Sequence, residues 1–493
     1  MKYLLIAMGA VAISLPVRAQ QERSVFSATG RAGVSTSMVT DYQTIGINPA
    51  NLGLPPKYEG HFVSFGLLES AYSIYSEALT KPDLRKSIRD FNSDDFTYED
   101  KVKAAKEFAD AGLSINVDLG LLNLAVQTKK IGGFAFGTRE RIQWYSRFND
   151  LTSDILFEGF NADYFTNKIM MNGDTLLASD PNFNPDSVKE AYTNQPKLFS
   201  EILDGSRISL SWMREFNFSY GVKLFGIAKD EGDGDKLALY AGAGLKYLSG
   251  MAIVDVTADG GQLKAISAVT PAIDIDYGSA GKINPSNLEQ GSGFLPKSVG
   301  SGMGLDFGVT LTLNDNIKAS AAITDIGSMT WNGNVYEARD TSLWDSESAG
   351  FNSYNIFSEA TEILGDSGMF TWDGQAERKE KLPTVIRLGG SIAFSEKLEL
   401  GLDAVMPGND EPGNIEKPVI AVGGDFQALP WLRLSTGLTV GGNYGFNLPA
   451  GLVVDMGEGG TWELGVATRD VLTFVSKNNP TLSMAFGFLR FRV

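Results

Sequence analysis

The sequence predicts an all-β fold: a closed, antiparallel transmembrane β-barrel of 14 strands with long extracellular loops. Three observations predict this fold class. Segments of alternating hydrophobicity recur along most of the chain, their polar positions carry small residues, and very short connections occur beside very long ones. In a membrane barrel, the outer face of each strand meets lipid while the inner face is small or polar, which gives this alternation.

Two stretches show the alternation most clearly, residues 208–226 and 302–330. Between 208 and 226 the pattern is interrupted at Arg214 and Glu215, which predicts a tight turn between two strands. Between 302 and 330, two alternating runs flank the sequence Asn-Asp-Asn at 314–316, which is typical of a hairpin turn. The polar positions carry Gly, Ser, Thr and Asn rather than the Lys and Glu that usually make a soluble sandwich. This composition favours the barrel.

Fifteen windows alternate in this way, and because single-chain bacterial barrels have an even number of strands we predict fourteen. Long extracellular insertions are expected near 76–112, 148–206, 249–301 and 331–383. The region 249–301 fits either one long loop or an extended hairpin, and residues 94–111 have the periodicity of a short helix. The windows are 61–72, 113–126, 131–147, 207–213, 216–227, 236–248, 302–313, 317–330, 384–394, 398–406, 418–427, 431–440, 447–455, 461–468 and 481–491.

Aromatic residues and the last window add detail to the barrel prediction. Four tryptophans lie in or beside the windows, where the aromatic girdles of a membrane barrel are expected. The parity of the last window changes between Phe488 and Leu489, which indicates a β-bulge. The four tryptophans are Trp144, Trp212, Trp431 and Trp462.

The chain begins with the features of an export signal. Lys2 supplies a positive charge, residues 4–15 are apolar but too short to span a bilayer as a helix, and small residues precede a cleavage position after Ala19. We therefore expect residues 1–19 to be a cleaved signal peptide. Beyond it no run of eighteen apolar residues occurs, so no transmembrane helix is expected.

The composition excludes several classes of function. The net charge of −17 argues against nucleic acid as a partner. The absence of cysteine excludes disulfides, thiolate metal sites and a lipid anchor on cysteine. His61 is the one histidine and lies at the start of the first strand window, where a structural role is expected. The acidic run at 230–235 is mis-spaced for a calcium loop. We predict no catalytic residue, no metal site and no cofactor, and hence no enzyme.

Residues 27–54, "SATGRAGVSTSMVTDYQTIGINPANLGL", resemble the N-terminal segment of the FadL family of outer-membrane barrels, which includes the secretion component PorV. The Asn-Pro-Ala-x-Leu motif of that family is matched by Asn48, Pro49, Ala50, Asn51 and Leu52. The resemblance implies that residues 20–60 fold back into the barrel as a hatch. The residue types suit this role, because proline disfavours helix at the residue before it and asparagine satisfies neighbouring backbone groups.

Further stretches are similar to Bacteroidota-type relatives of this family, namely residues 244–250, 304–331, 382–394 and 446–452. The strand windows spread from 61 to 491 without a linker, which favours a single barrel over residues 61–493. The resemblance implies that this barrel lies in the outer membrane, surrounded by its lipid. Within the barrel, Arg139, Arg141, Gln143 and Tyr145 share one parity, opposite Ile142 and Trp144. We interpret them as a lumen row that either contacts a polar or anionic solute or anchors the hatch.

Two functions remain open at this point. The first is passive uptake of a hydrophobic or amphipathic small molecule, as the resemblance to FadL implies, with the solute bound by the outer loops and admitted when the hatch shifts. The second is an interaction protein resembling PorV, which would dock exported cargo or the proteins of a secretion or assembly complex. The long acidic and aromatic insertions at 148–206 and 331–383 motivate the second function.

Overall fold

The computed structural model describes most of the chain after the signal region. Its described helices include none that is both long and apolar enough to cross a membrane. The predicted signal peptide 1–19 and His61 lie outside the described residues. The described residues are 25–56, 60, 62–78, 96–128, 131–230, 234–273, 275–291, 295–354, 356, 359, 365, 370–415, 417–442, 446–457, 460–476 and 481–493.

Fourteen strands form one closed antiparallel barrel, as predicted. Each strand pairs with the next along the chain, and the last pairs with the first, with Phe65 opposite Phe491 and Tyr75 opposite Thr481. The strands are β1 (Val63–Ser76), β2 (Leu113–Thr128), β3 (Gly132–Arg147), β4 (Arg207–Ala228), β5 (Asp235–Asp259), β6 (Gly300–Leu313), β7 (Ile317–Trp331), β8 (Val385–Ser395), β9 (Leu398–Pro407), β10 (Val419–Leu429), β11 (Leu432–Gly441), β12 (Ala450–Met456), β13 (Trp462–Thr468) and β14 (Thr481–Arg492).

The turn predicted at Arg214 and Glu215 is wrong, because both residues lie inside the continuous strand β4. Their charges are neutralised across the ladder instead of marking a chain reversal. On the outer face Arg214 pairs with Glu140 of β3, and on the bore face Glu215 pairs with Arg141. The windows 207–213 and 216–227 are therefore one strand, which reduces fifteen windows to fourteen strands.

All long connections leave one end of the barrel, here called the outer end, and the short turns lie at the opposite, inner end. The region 249–301 is an extended hairpin followed by a loop, because β5 continues to Asp259 and returns as the strand Gln262–Val269. The other strands at the outer end are Asn167–Met170, Thr175–Leu177, Val188–Leu198, Val335–Ala338, Ser342–Ser346, Trp372–Gln375, Arg378–Lys381 and Phe446–Asn447.

The helices are short: Phe26–Gly30 lies in the N-terminal segment, and the others lie in connections at the outer end. The helix predicted over 94–111 is observed as Tyr98–Phe108, and Thr97 caps it because its side chain accepts a hydrogen bond from the Asp100 amide. Outer-end helices bury apolar residues in one core with the outer ends of β2–β5. The helices are α1 (Phe26–Gly30), α2 (Tyr98–Phe108), α3 (Asp150–Glu158), α4 (Phe199–Ile202), α5 (Gly278–Ile283) and α6 (Leu472–Val475), with 3₁₀ turns at Asp41–Thr44, Pro49–Gly53, Gly159–Asn161 and Pro185–Ser187.

The barrel wall is apolar outside and small or polar inside, as β6 illustrates. Leu305 and Phe307 are exposed on the outside, whereas Asp306, Gly308 and Thr310 are buried on the bore side. This arrangement gives the barrel the apolar outer belt that contact with hydrocarbon requires. The predicted bulge near Phe488 is confirmed: Glu463 faces Arg490 but Gly465 faces Gly487, which leaves one extra residue in β14.

The tryptophans divide into two groups. Trp431 and Trp462 are 51% and 37% exposed at the inner ends of their strands, where a girdle is expected. Trp144 is only 3% exposed, because it is covered by the apolar core of the outer-end loops. Trp212 is half-buried and its indole N–H donates to Glu140, so these two residues do not form a girdle.

Candidate functional site

The N-terminal segment, residues 25–56, occupies the bore. Between 25 and 54 all residues except Gly33, Thr40 and Gly53 are buried. The segment bonds to strands from different sides of the wall: Arg31 pairs with Asp425 of β10 at 2.7 Å, and the Tyr42 hydroxyl donates to Glu69 of β1 at 2.6 Å. A segment that reaches strands on different sides of the barrel lies inside it.

The Asn-Pro-Ala-Asn-Leu motif forms a 3₁₀ turn, Pro49–Gly53, that satisfies its own polar groups. Asn48 caps the turn, because its Oδ1 accepts a hydrogen bond from the Ala50 amide at 3.1 Å. The Asn48 amide donates to the Thr36 carbonyl at 2.9 Å, and the Asn51 amide donates to the Val39 carbonyl at 2.9 Å. Irregular backbone inside a bore needs such internal partners, since no strand ladder is available to it.

One hydroxyl joins this motif to the barrel wall. Thr310 of β6 accepts from the Asn48 amide at 2.9 Å, and it lies 2.6 Å from Asn51 Oδ1, to which it can donate. Thr310 is itself 2.9 Å from Ser320 of β7. Leu52 is fixed from β2, because the Gln127 amide donates to its carbonyl at 3.2 Å.

Four glycines on neighbouring strands of the barrel leave room for the backbone of the motif. A Cβ atom built on Gly242 would lie 2.3 Å from the carbonyl carbon of Pro49, and one on Gly308 would lie 2.0 Å from Asn48 Oδ1. Gly221 and Gly133 are equally close to carbonyl oxygens of the motif, at 2.3 Å. These glycines lie on β3–β6, so the turn can pack directly on the ladder. We call these four residues the glycine wall.

The opposite side of the N-terminal segment is held in a similar way. The ring of Phe26 covers Gly465 and Gly487, where added Cβ atoms would lie 2.0 and 2.6 Å from ring carbons. Asp403 of β9 accepts from the amides of Ser35 and Thr36, both at 2.8 Å. On this side the segment is thus held by close packing of Phe26 on glycines and by hydrogen bonds from its backbone to Asp403.

A cluster of charges lies at the inner end. Arg490 of β14 is fully buried between Asp41 of the N-terminal segment, at 2.7 Å, and Glu463 of β13, at 2.8 Å. Glu463 also pairs with Arg492 at 2.8 Å and with Arg433 at 3.2 Å. A cavity of about 320 Å³ borders this cluster and is lined by both the segment and the wall.

The predicted lumen row lies on the bore side of β3. Arg139 pairs with Asp118 of β2 at 3.2 Å, and Arg141 pairs with Glu215 and, at 3.7 Å, with Asp325. The carboxylates that hold both arginines therefore belong to the wall.

Gln143 and Tyr145 complete the row. Both are buried, at 8% exposure. A Cβ atom on Gly413, in the connection between β9 and β10, would lie 2.7 Å from Gln143 Oε1. Tyr145 lies near Gly112, at the outer end of β2. The outer part of the row thus faces other outer-end segments.

Sequence reasoning missed a buried cation beside this row. Lys246 of β5 has no exposed surface and pairs with Asp306 of β6 at 2.8 Å and with Asp325 of β7. The signal was present, since Lys246 and Asp306 are charges beside small residues at the polar parity of their strands. Together with Arg141 and Glu215 they form a charged layer outward of the glycine wall.

Sequence reasoning also missed the connection between β9 and β10, residues 408–418, which we call the crossing loop. Its residue Asp410 accepts from Arg207 of β4 at 3.0 Å, and Gly413 lies against Gln143 and Ser211. Strands β3 and β4 are five to seven strands away from β9 and β10 around the ring, so the loop reaches across the bore. Asn414 stabilises it by donating to the Thr384 carbonyl at 2.8 Å.

An outer cleft of about 440 Å³ lies among the long loops. Tyr277 and Tyr336 stack beside it with ring centroids 3.8 Å apart and planes at 13°. The Tyr277 hydroxyl is 2.6 Å from Ser267 Oγ, and burial raises the pKa of Tyr277, so the phenol stays neutral. The apolar residues that line the cleft are Val269, Pro271, Ile273, Ile275 and Leu288.

Comparisons with solved structures find distant similarity. The Pseudomonas putida toluene transporter TodX is 12% identical with a TM-score of 0.41, over 97% of this chain and 99% of that chain. A Pseudomonas aeruginosa FadL homologue is 11% identical with a TM-score of 0.41, over 96% and 97%. The Ralstonia pickettii toluene transporter TbuX is 11% identical with a TM-score of 0.41, over 96% and 98%. Scores this low carry no argument, so the barrel assignment depends on the strand pairing described above.

No curated protein matches the sequence significantly. The more specific resemblance to PorV and to Bacteroidota-type relatives is not addressed by these comparisons and stays a prediction. One family model does match, over residues 53–459, which is most of the chain. The chain therefore belongs to this family, a family of unknown function (DUF5723).

Proposed function

We propose that this chain is an outer-membrane barrel that admits a hydrophobic or amphipathic small molecule by passive uptake. A single observation carries the proposal: a cleft at the outer end, lined by apolar side chains, a tyrosine pair and polar groups such as Lys282 and Gln290, stands above a bore that the N-terminal segment fills. An open bore would indicate a general diffusion pore, whereas a closed bore with a cleft indicates selective admission. The apolar outer belt and the closed ring of strands support the membrane location.

In this proposal the N-terminal segment acts as a hatch. A solute first binds in the outer cleft, where apolar side chains replace its water. It then passes when the hatch or the crossing loop shifts. The hatch is suited to a shift because it contacts the glycine wall through close packing and neutral hydrogen bonds. Such contacts can break and form again. Asn48 and Asn51 retain partners within the segment, so part of their hydrogen bonding survives the movement.

The experiment measures initial influx of radiolabelled toluene into cells that produce the full chain, compared with cells that do not. The double variant Tyr277→Ala, Tyr336→Ala removes the stacked rings and is expected to reduce the influx due to the barrel roughly tenfold, since aromatic pairs and their buried area contribute on the order of 1–2 kcal/mol. Trp344→Ala is the control, because Trp344 is 58% exposed and lies away from the cleft. Unchanged influx in the double variant, with normal barrel yield, would contradict the proposal.

The second function, an interaction protein resembling PorV, stays a prediction. No contact among the described residues tests it, and no observation in the described part of the chain favours it over uptake.

A further inference from the structure

We infer that the solute carries no negative charge, so that the barrel admits neutral or cationic amphipathic molecules and excludes carboxylates. The inference rests on the proposed uptake function and narrows its substrate class. It is carried by the distribution of charge along the path from the outer loops to the bore.

The outer loops carry most of the negative charge of the chain. Residues 148–206 contain ten acidic and three basic side chains, and residues 332–384 contain ten acidic and four basic side chains. These two connections thus account for −13 of the net charge of −17. Both emerge at the outer end, where a solute arrives. A surface field of one sign lowers the local concentration of solutes with the same sign.

The crossing loop makes the outer part of the bore acidic as well. Around it, four carboxylates lie beside three cations, of which Arg378 pairs with Glu380 at 2.8 Å. Arg207 pairs with Asp410 at 3.0 Å and with Asp255 at 3.7 Å, and Lys264 pairs with Asp255 at 2.7 Å and with Glu380 at 3.8 Å. The fourth carboxylate is Glu411, whose pKa is raised mainly by burial; Glu380 and Asp255 raise it further, while Lys264 and Lys381 oppose them. Burial of this kind also disfavours a further negative charge, because the charge would lose its water.

The charged layer deeper in the bore has the same bias. Arg139, Arg141 and Lys246 face four carboxylates, which are Asp118, Glu215, Asp306 and Asp325. Each cation is already paired with at least one of them, so none is left to receive the carboxylate of a solute. Bringing an anion here would cost its hydration without supplying a partner charge.

The buried atoms without a hydrogen-bond partner in this layer, among the residues that the structure describes, are of both kinds. Asp306 Oδ2 is an acceptor, whereas Arg139 Nη1 and Arg141 Nε are donors. These atoms do not distinguish a solute that donates from one that accepts, so the excess of carboxylates over cations is what disfavours an anion here.

The test uses three probes with the same hydrocarbon skeleton: 4-ethylbenzyl alcohol, 4-ethylbenzylammonium and 4-ethylbenzoate. Initial influx of each labelled probe is measured in cells that produce the full chain and in cells that lack it. We expect the barrel to raise influx of the alcohol and the ammonium by roughly tenfold over influx of the benzoate, a typical size for electrostatic steering. Added salt should reduce the advantage of both probes over the benzoate, and that of the ammonium more, because it screens the repulsion of the anion as well as the attraction of the cation.

The outcomes separate the inference from the proposed function. If the barrel raises benzoate influx as much as alcohol influx, uptake is correct and the charge inference is wrong. If none of the three probes enters faster, the uptake function is wrong and the inference falls with it. The double variant Asp410→Asn, Glu411→Gln should lower the ratio of ammonium influx to benzoate influx several-fold. The control variant Asp345→Asn, Glu347→Gln removes the same charge from an exposed outer loop and should change the ratio less than twofold.

Discussion

Replacing one glycine of the wall should release the hatch while leaving the barrel intact. In the variant Gly242→Val the new Cβ atom would lie 2.3 Å from the carbonyl carbon of Pro49 and 2.5 Å from the Ala50 nitrogen. Ordinary contacts of a Cβ atom begin near 3.4 Å. The neighbours are backbone atoms of a hydrogen-bonded turn rather than the end of a flexible side chain, so the turn must retreat by roughly 1 Å.

The energetic cost follows from what this retreat breaks. Overpacking costs about 1–3 kcal/mol. A retreat of this size also separates Thr310 from Asn48 and Asn51, now at 2.9 and 2.6 Å, and each lost hydrogen bond costs about 0.5–1.5 kcal/mol. The total is about 2–6 kcal/mol against the docked hatch. At its lower end this is a roughly thirtyfold increase in the undocked population, since 1.4 kcal/mol is tenfold.

Hydrogen–deuterium exchange of the full chain in lipid nanodiscs measures this population. Amides of residues 47–54 should lose protection in Gly242→Val by at least about thirtyfold, while amides of β5 should keep theirs. Gly390→Val is the matched control. Its Cβ atom would have one neighbour, the Lys318 carbonyl oxygen at 3.4 Å, which is ordinary contact. Unchanged exchange over 47–54 in the Gly242 variant would refute the claim that the glycine wall holds the hatch.

Three further predictions concern the barrel and the outer loops. Arg490→Met should lower the free energy of unfolding in liposomes by about 3–5 kcal/mol, because it leaves buried carboxylates without their shared partner; a shift below 1 kcal/mol in urea titrations would contradict this. Phe307→Arg places a charge on the apolar outer belt and should cost about 2–4 kcal/mol in the same titration, whereas Ser301→Arg, near the outer end, should cost about 0–1 kcal/mol. Burial lowers the pKa of Lys168 to about 8 from its ordinary value of 10.5. Between these two pH values the unfolded loop binds more protons than the folded loop, so raising the pH favours the folded loop. Exchange protection of residues 148–206 should therefore rise as the pH is raised from about 8 towards 10 and should stay flat in Lys168→Met.

The strand pattern was predictable because each strand has one lipid-type face and one small or polar face, and alternation records this difference directly. The error at Arg214 and Glu215 has a physical cause. A pair of charges reads as a turn when a strand is considered alone, but here each charge is neutralised by the neighbouring strand β3. Partners of this kind are distant in sequence and leave no local signal. The same limit applies to Trp144, whose cover comes from loops elsewhere in the chain.

The candidate site was predictable only in part. The motif Asn48–Leu52 could be recognised by resemblance, and the sequence showed that small residues recur at the polar positions of the strands. The sequence does not indicate which glycines contact the motif. Those contacts depend on how the N-terminal segment is aligned with strands that lie far from it in the sequence. The crossing loop had no signal at all: its nine-residue sequence "NDEPGNIEK" (409–417) reads as an ordinary surface turn, and only its contacts with Gln143 and Arg207 show that it enters the bore.

The two closures of the bore depend on different forces, and this difference has a consequence for how the barrel opens. Shape and neutral hydrogen bonds hold the proposed hatch at the glycine wall, and its ion pairs with Asp425 and Arg490 are buried, so both kinds of contact respond little to ionic strength. At the outer end, charged pairs such as Arg207 with Asp410 hold the crossing loop, and half-exposed pairs weaken as salt rises. Salt or a cationic solute therefore acts on the outer closure first. Removal of the hatch alone leaves the crossing loop and the charged layer in place, so a large open pore is not expected from that truncation.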